Sequence, residues 1–260
     1  MRHRHVFFLR VVAACAWALW VCAPHRAAAD TQYFPIPSVS TSRNDGNDVG
    51  LIVPILHSDA EGELKNLMAP MLIQNSIVGT RAAFNWFHYE PGNRQLRFIA
   101  SLTERIERKV VLSYMDPAFS NGRYSLNLGA TFFKNATSRF FGLGQTTREE
   151  NETNYTAREA RADWRFGVHV NEVTQVSFGQ RVRQFTMQRG VTDLPFTKEV
   201  FPGVPGVQGE SIIVGHRATF YYDTRNSLVT PTEGMAVTAY AEINQNIRNS
   251  EHPIFSRYEI

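Results

Sequence analysis

The sequence predicts an all-β fold, an antiparallel sheet whose strands cross a membrane as a β-barrel. Three observations carry that reading. Apolar and polar residues alternate with a period of two through much of the chain, and its 12 prolines and 17 glycines punctuate it at short intervals. Long and short connections also alternate between the two ends of the strands, as outer-membrane barrels arrange them.

The chain opens with a segment that stands apart from this pattern. Residues 1–29 begin with a basic cluster (Arg2, His3, Arg4, His5), run apolar from Val6 to Ala23, and close on Ala27-Ala28-Ala29 before Asp30. They read as a secretory signal peptide, removed on export. Arg10 leaves the apolar run short of the ~20 residues of a spanning helix. Both cysteines, Cys15 and Cys22, lie in this leader, so the exported chain has neither a disulfide framework nor a thiolate metal site. Without the leader's four arginines, 23 basic residues face 24 acidic ones. That balance gives no reason to expect nucleic acid as a partner. Residues 30–260 are expected to form one barrel domain.

Strands are expected near 34–42, 48–57, 66–74, 79–89, 96–103, 108–114, 123–132, 154–169, 174–187, 211–223, 234–244 and from 255 onward. The pattern is weakest over 96–114 and cleanest later. Tyr124, Leu126, Leu128, Ala130 and Phe132 alternate with Ser125, Asn127, Gly129 and Thr131. Ala160, Ala162, Trp164, Phe166 and Val168 alternate with Arg161, Asp163, Arg165, Gly167 and His169. The segment 212–223 sets Ile212, Val214, Ala218, Phe220 and Tyr222 against Gly215, Arg217, Thr219, Tyr221 and Asp223. Successive β side chains point to opposite faces, so each strand is expected to have one apolar and one polar face.

Two architectures fit. A soluble sandwich buries the apolar face, whereas a transmembrane barrel turns it to lipid around a watery lumen. Export, the absence of cysteine and strands long enough for the ~9–11 tilted residues of a crossing favour the barrel. Trp86, Tyr89, Tyr114, Tyr124, Tyr155 and Tyr222 would suit its interfacial girdles. The connections 133–153, 188–210 and 245–254 would then lie outside, and 90–95, 115–122, 170–173 and 224–233 inside.

Candidate functional residues follow from the same parity. Arg161, Arg165, Arg181, Arg183 and Arg217 would line one wall of the lumen, with Asp163, His169 and Asp223 nearby. They could set an ion preference, or pair across strands and fill the interior. Asp223 and Arg225 could in principle serve as acid and base, but a charge pair steadying a hairpin end is commoner, with Pro231 restricting the turn and Gly234 releasing it. The histidine spacing matches no metal motif, and no nucleophile elbow or phosphate loop occurs. No cofactor or metal is expected.

The arrangement Asp223-x-Arg225-Asn226, then Pro231-Thr-x-Gly234 and an alternating strand, resembles the barrel of the BamA/TamA-type bacterial surface antigen family. Arg139-Phe-Phe141-Gly142-Leu-Gly144 is similar to that family's aromatic–Gly–x–Gly loop, and Pro35 to Ser42 to its first barrel strand. The resemblance implies a sixteen-stranded barrel in the bacterial outer membrane, surrounded by outer-membrane lipid, that assembles or translocates other proteins with unfolded outer-membrane proteins as clients. Few residues separate Asp30 from the first strand, which leaves no room for POTRA domains, and Phe255 to Ile260 stops within a strand. About ten to twelve of sixteen strands are therefore expected here, the rest lying beyond residue 260. A passive pore or structural barrel is the alternative reading, with an outer-membrane enzyme behind it.

Overall fold

Alternate residues of this chain segregate onto opposite faces of a single antiparallel sheet. The computed structural model describes residues 30–145, 147–204, 206–227, 230–248 and 254–260, so the expected signal peptide, residues 1–29, falls outside the described residues. The strands are β1 (Thr31–Tyr33), β2 (Ile36–Ser42), β3 (Gly46–Ile52), β4 (Ile55–Ser58), β5 (Leu64–Asn75), β6 (Gly79–Glu90) and β7 (Arg94–Thr103). They continue with β8 (Arg108–Phe119), β9 (Tyr124–Phe140), β10 (Thr153–His169), β11 (Thr174–Arg189), β12 (Glu210–Asp223), β13 (Ala236–Asn246) and β14 (Ile254–Glu259). A one-turn helix, α1 (Thr197–Val200), lies between β11 and β12.

The 14 segments make fewer passes than their number suggests. β1 pairs β4 and β2 pairs β3 in unbroken register, so β1–β2 and β3–β4 are the two arms of one long hairpin. The breaks fall at Pro35 and Pro54, where the missing N–H groups interrupt the ladder. Phe34 N–H still reaches the Pro54 carbonyl at 3.0 Å and holds the arms together across the breaks. From β5 to β14 every strand pairs its sequence neighbour. The pairing ends at the β1–β2 arm and at β14, which do not pair with each other among the described residues.

Burial separates the two architectures that fit the sequence. Trp164, Phe166, Val168, Phe178, Val182 and Phe220 are exposed on one face, and Leu128 there is 45% exposed. The opposite face buries Ser125, Glu159, Ser177, Glu242 and Asn244. A sandwich would reverse this, because removing apolar surface from water is what holds a soluble sheet together. Apolar residues outside and polar residues inside is the pattern of a barrel wall.

Three expectations are corrected. β9 runs to Phe140 rather than ending near 132, so the connection expected over 133–153 shrinks to 141–152. Both β9 and β10 continue past the apolar zone, where pairing no longer needs an apolar face. A bulge between Tyr155 and Ala157 then breaks the alternation that would have marked the strand. The second correction concerns the early strands, whose inner face is not polar throughout: Ile73 and Val111 are buried there. The third concerns the girdle, since Tyr89 pairs Gln95 and Tyr155 pairs Arg189 on the inward face, while Trp86, Tyr114, Tyr124 and Tyr222 face outward.

The sheet also curls onto itself. The β2–β3 turn reaches β9, where Thr137 Oγ1 donates to Asp45 Oδ1 at 2.6 Å, and Arg43 pairs with Glu149 at 2.8 Å. Beneath that contact Asn75 donates to the Asp45 carbonyl and to Asp48, while Arg81 bridges Asp48 and Glu107 at 3.1 and 3.3 Å.

Candidate functional site

The inward face of β9 to β13 carries the arginines singled out from the sequence, each placed by register. Asp163 lies opposite Gly129, Arg165 opposite Gly179, and Arg181 opposite Gly215. A large side chain therefore faces a glycine on the adjacent strand. A Cβ on Gly129 would stand 2.8 Å from Asp163 Oδ2, and one on Gly215 would stand 2.6 Å from Asn244 Oδ1. These glycines leave room for polar side chains to lie along the wall.

Two acids organise the arginines. Glu242 accepts Arg181 Nη2 on Oε1 and Arg217 on Oε2, both at 2.5 Å. The Arg217 guanidinium also lies 4.1 Å from the Tyr240 ring centroid, an attraction to the negative face of the ring. Glu159 accepts Arg183 Nε at 2.6 Å. Arg161 approaches Asp163 at 3.2 Å. Arg165 has no ion-pair partner among the described residues and projects into a cavity of about 430 Å³, lined also by Arg97, Asn127, Asp163, Arg181 and Glu242. Cations outnumber acids on this wall. It can attract and orient an anionic group, but Glu242 is held by guanidinium donors on both oxygens and Glu159 by one, which suits them poorly to moving protons.

Glu242 and Glu159 were not singled out from the sequence as partners, because their pairing depends on interstrand register, which no single strand encodes. His169 stands apart at the short-turn end, its Nε2 3.0 Å from the Pro117 carbonyl.

The turn residues come together at that same end. Asp223 accepts four hydrogen bonds, from Tyr221 Oη at 2.5 Å, the Arg225 backbone N–H and Nε both at 3.0 Å, and Arg225 Nη2 at 2.7 Å. The bond to Asp223, then that to Tyr221, raises the Arg225 pKa above the usual arginine value. Asn226 spans the loop, its Nδ2 donating to Thr232 Oγ1 at 2.7 Å and its Oδ1 accepting the Thr232 N–H at 3.1 Å. Pro231 precedes Thr232. Gly234 has φ +88°, and a Cβ there would lie 2.2 Å from the Thr224 carbonyl oxygen. Gly234→Ala should therefore destabilise the protein by about 1–3 kcal/mol. Gly62, at φ +82° with open space around it, is the control, since its replacement meets only the backbone strain. Urea unfolding in detergent, followed by tryptophan fluorescence, should show the larger loss at Gly234. Equal losses would mean that the contact adds nothing.

Phe141, Gly142 and Gly144 lie at the opposite end, in the connection between β9 and β10. Gly142 and Gly144 both have positive φ, and a Cβ on Gly142 would touch the Phe201 ring at 3.5 Å. Phe140 packs edge-on against Phe201 at 5.1 Å, tying this connection to the β11–β12 loop. Asn154, buried beneath, donates to the Ser138 carbonyl at 2.9 Å and accepts from Thr192 N–H at 3.3 Å.

A single antiparallel wall with lipid-type side chains outside and paired charges inside is that of an outer-membrane β-barrel. The Omp85 superfamily domain matches residues 92–256. The chain belongs to that superfamily and is a protein of the bacterial outer membrane. No curated protein matches it. Among solved structures it is similar to BamA from Haemophilus ducreyi lacking POTRA domains 1-3, with 16% identity and a TM-score of 0.42 over 86% of this chain and 42% of that one. The chain thus spans about two fifths of the length of that structure.

Proposed function

We propose that this barrel assembles or translocates other proteins at the outer membrane, with unfolded outer-membrane proteins as its clients. The match of the superfamily domain over 92–256 carries the proposal. The donors gathered on Asp223 favour a turn-steadying role for the Asp223–Arg225 pair over acid–base chemistry, and the barrel acts without catalysis of its own.

Depletion of the full-length gene product in its host tests this. Quantitative mass spectrometry of outer-membrane fractions should show β-barrel proteins falling relative to lipoproteins and periplasmic proteins. Unchanged barrel levels would overturn the proposal. The excess of cations around the cavity favours a second reading, a passive pore. That reading expects steady, anion-preferring conductance from the full-length protein in planar bilayers and no change in barrel levels on depletion.

A further inference from the structure

The outward face of the sheet carries a second group of cations, separate from the lumen. Arg108 on β8 pairs in register with Lys134 on β9, and Lys134 pairs with Arg158 on β10. The three stand side by side on adjacent strands, about 5 Å apart between neighbours. Strand parity places them on the face that carries Val110, Leu112, Leu128 and Trp164, all exposed. Like charges directly opposite one another destabilise a sheet, so the row calls for a counter-charge.

The described residues supply none. Among the described residues, none of the three takes part in an ion pair. Arg108 Nη1 donates to the backbone carbonyls of Thr103 and Glu107 at 3.0 and 2.7 Å, and the Arg158 guanidinium lies 6.0 Å from the Phe132 ring centroid. The nearby acids are engaged elsewhere. Glu107 turns inward to Arg81, Glu104 accepts the Thr80 N–H at 3.4 Å, and Glu210, further along the row, is held by Gln184 and Arg248.

Depth in the membrane identifies the missing anion. Tyr124 marks the short-turn edge of the apolar face, and Leu126, Leu128, Ala130 and Phe132 follow it outward along β9. The next outward residue is Lys134. From Tyr124 to Lys134 the strand rises about 33 Å, which a tilt near 40° reduces to about 25 Å, the height of a barrel's apolar band. The cations therefore sit where hydrocarbon gives way to headgroups. They lie on the side of the connections 141–152 and 190–209, and outer-membrane barrels turn their longer loops outward, which assigns the row to the outer leaflet.

We propose that Arg108, Lys134 and Arg158 form a docking site for the phosphate groups of an outer-leaflet glycolipid. Its acyl chains would lie against Val110, Phe132 and Ala160, one row below. The site rests on the outer-membrane location and not on the assembly role, so loss of either leaves the other standing.

The test uses the full-length protein purified in detergent, with native mass spectrometry and calorimetric titration against lipopolysaccharide, chemically dephosphorylated lipopolysaccharide and phosphatidylglycerol. Wild type should bind the phosphorylated glycolipid more tightly than the other two. The double variant Lys134→Gln/Arg158→Gln should bind it about 30-fold more weakly, since each cation at an anionic surface contributes about five-fold. Lys134→Arg/Arg158→Lys keeps both charges and should retain most of the affinity. Heat-dependent gel migration checks that each variant is folded. Equal binding by wild type and the Gln variant, or equal binding of the dephosphorylated lipid, would overturn the proposal. So would equally tight binding of phosphatidylglycerol, which would reveal only a generally cationic surface. Protease applied to intact cells provides a separate arm: cleavage within 190–209 supports the orientation, and full protection there overturns it together with the site.

Discussion

Val182→Arg is expected to destabilise the complete barrel by about 2–4 kcal/mol, the penalty for an arginine on the lipid face at the bilayer midplane. Val182 pairs Ala162 and Val214, and Ala162 pairs Ala130, which lies near the middle of the run from Tyr124 to Lys134 on β9. Its side chain is 46% exposed, although a core valine of a soluble sheet would be covered. Its chain neighbours, Arg181 and Arg183, are already arginines, tolerated because they turn inward to Glu242 and Glu159. Gln95→Arg provides the control, because Gln95 lines the aqueous cavity and exchanges one polar side chain for another. Both variants should be unfolded with urea in lipid vesicles. A loss at Val182 no greater than that at Gln95 would mean that the two faces have been exchanged.

Phe166 would be a weaker place for the same test. It pairs Leu126, one row above Tyr124, and so lies close to the short-turn interface where the penalty falls. Sequence parity identifies Phe166 as outward-facing but cannot give its depth. Depth requires the register of three or four strands together.

The same distinction explains what could be read from this sequence. The faces of β9 to β13 were legible because one side of each strand is apolar and the other charged. In β5 to β8 both faces carry apolar residues, Leu72 outward and Ile73 inward, so the period fades although the strands remain. Pro35 and Pro54 split two long arms without ending them, because the ladder resumes in the same register on the far side. The turn from Asp223 to Gly234 was legible because its bonds are local, with Arg225 only two residues from Asp223. The partners Glu242 and Glu159 were not, because Arg181 and Glu242 are 61 residues apart. The outward row Arg108–Lys134–Arg158 escaped for the same reason: each is an ordinary strand-end cation until register sets them abreast.

Glu242→Gln should show how much the lumen depends on such non-local pairing. Glu242 is 4% exposed and holds two guanidinium groups at once, so its loss leaves Arg181 and Arg217 facing each other across Gly215 without an anion between them. Breaking a buried ion pair costs about 3–5 kcal/mol. Here both arginine side chains are one-third exposed to the lumen, where water screens their repulsion. The expected loss is therefore smaller, about 2 kcal/mol. Arg217→Gln in the Glu242→Gln background removes one of the opposed cations and should restore part of the loss, giving a coupling of about 1 kcal/mol in a double-mutant cycle. Additive effects would mean that Glu242 does not act through Arg217. Conductance gives an independent readout if the full-length barrel is open. Neutralising Glu242 raises the positive charge of the wall beside Arg165 and should increase the anion preference, whereas Arg165→Gln should reduce it with little effect on stability, since Arg165 has no partner among the described residues to lose.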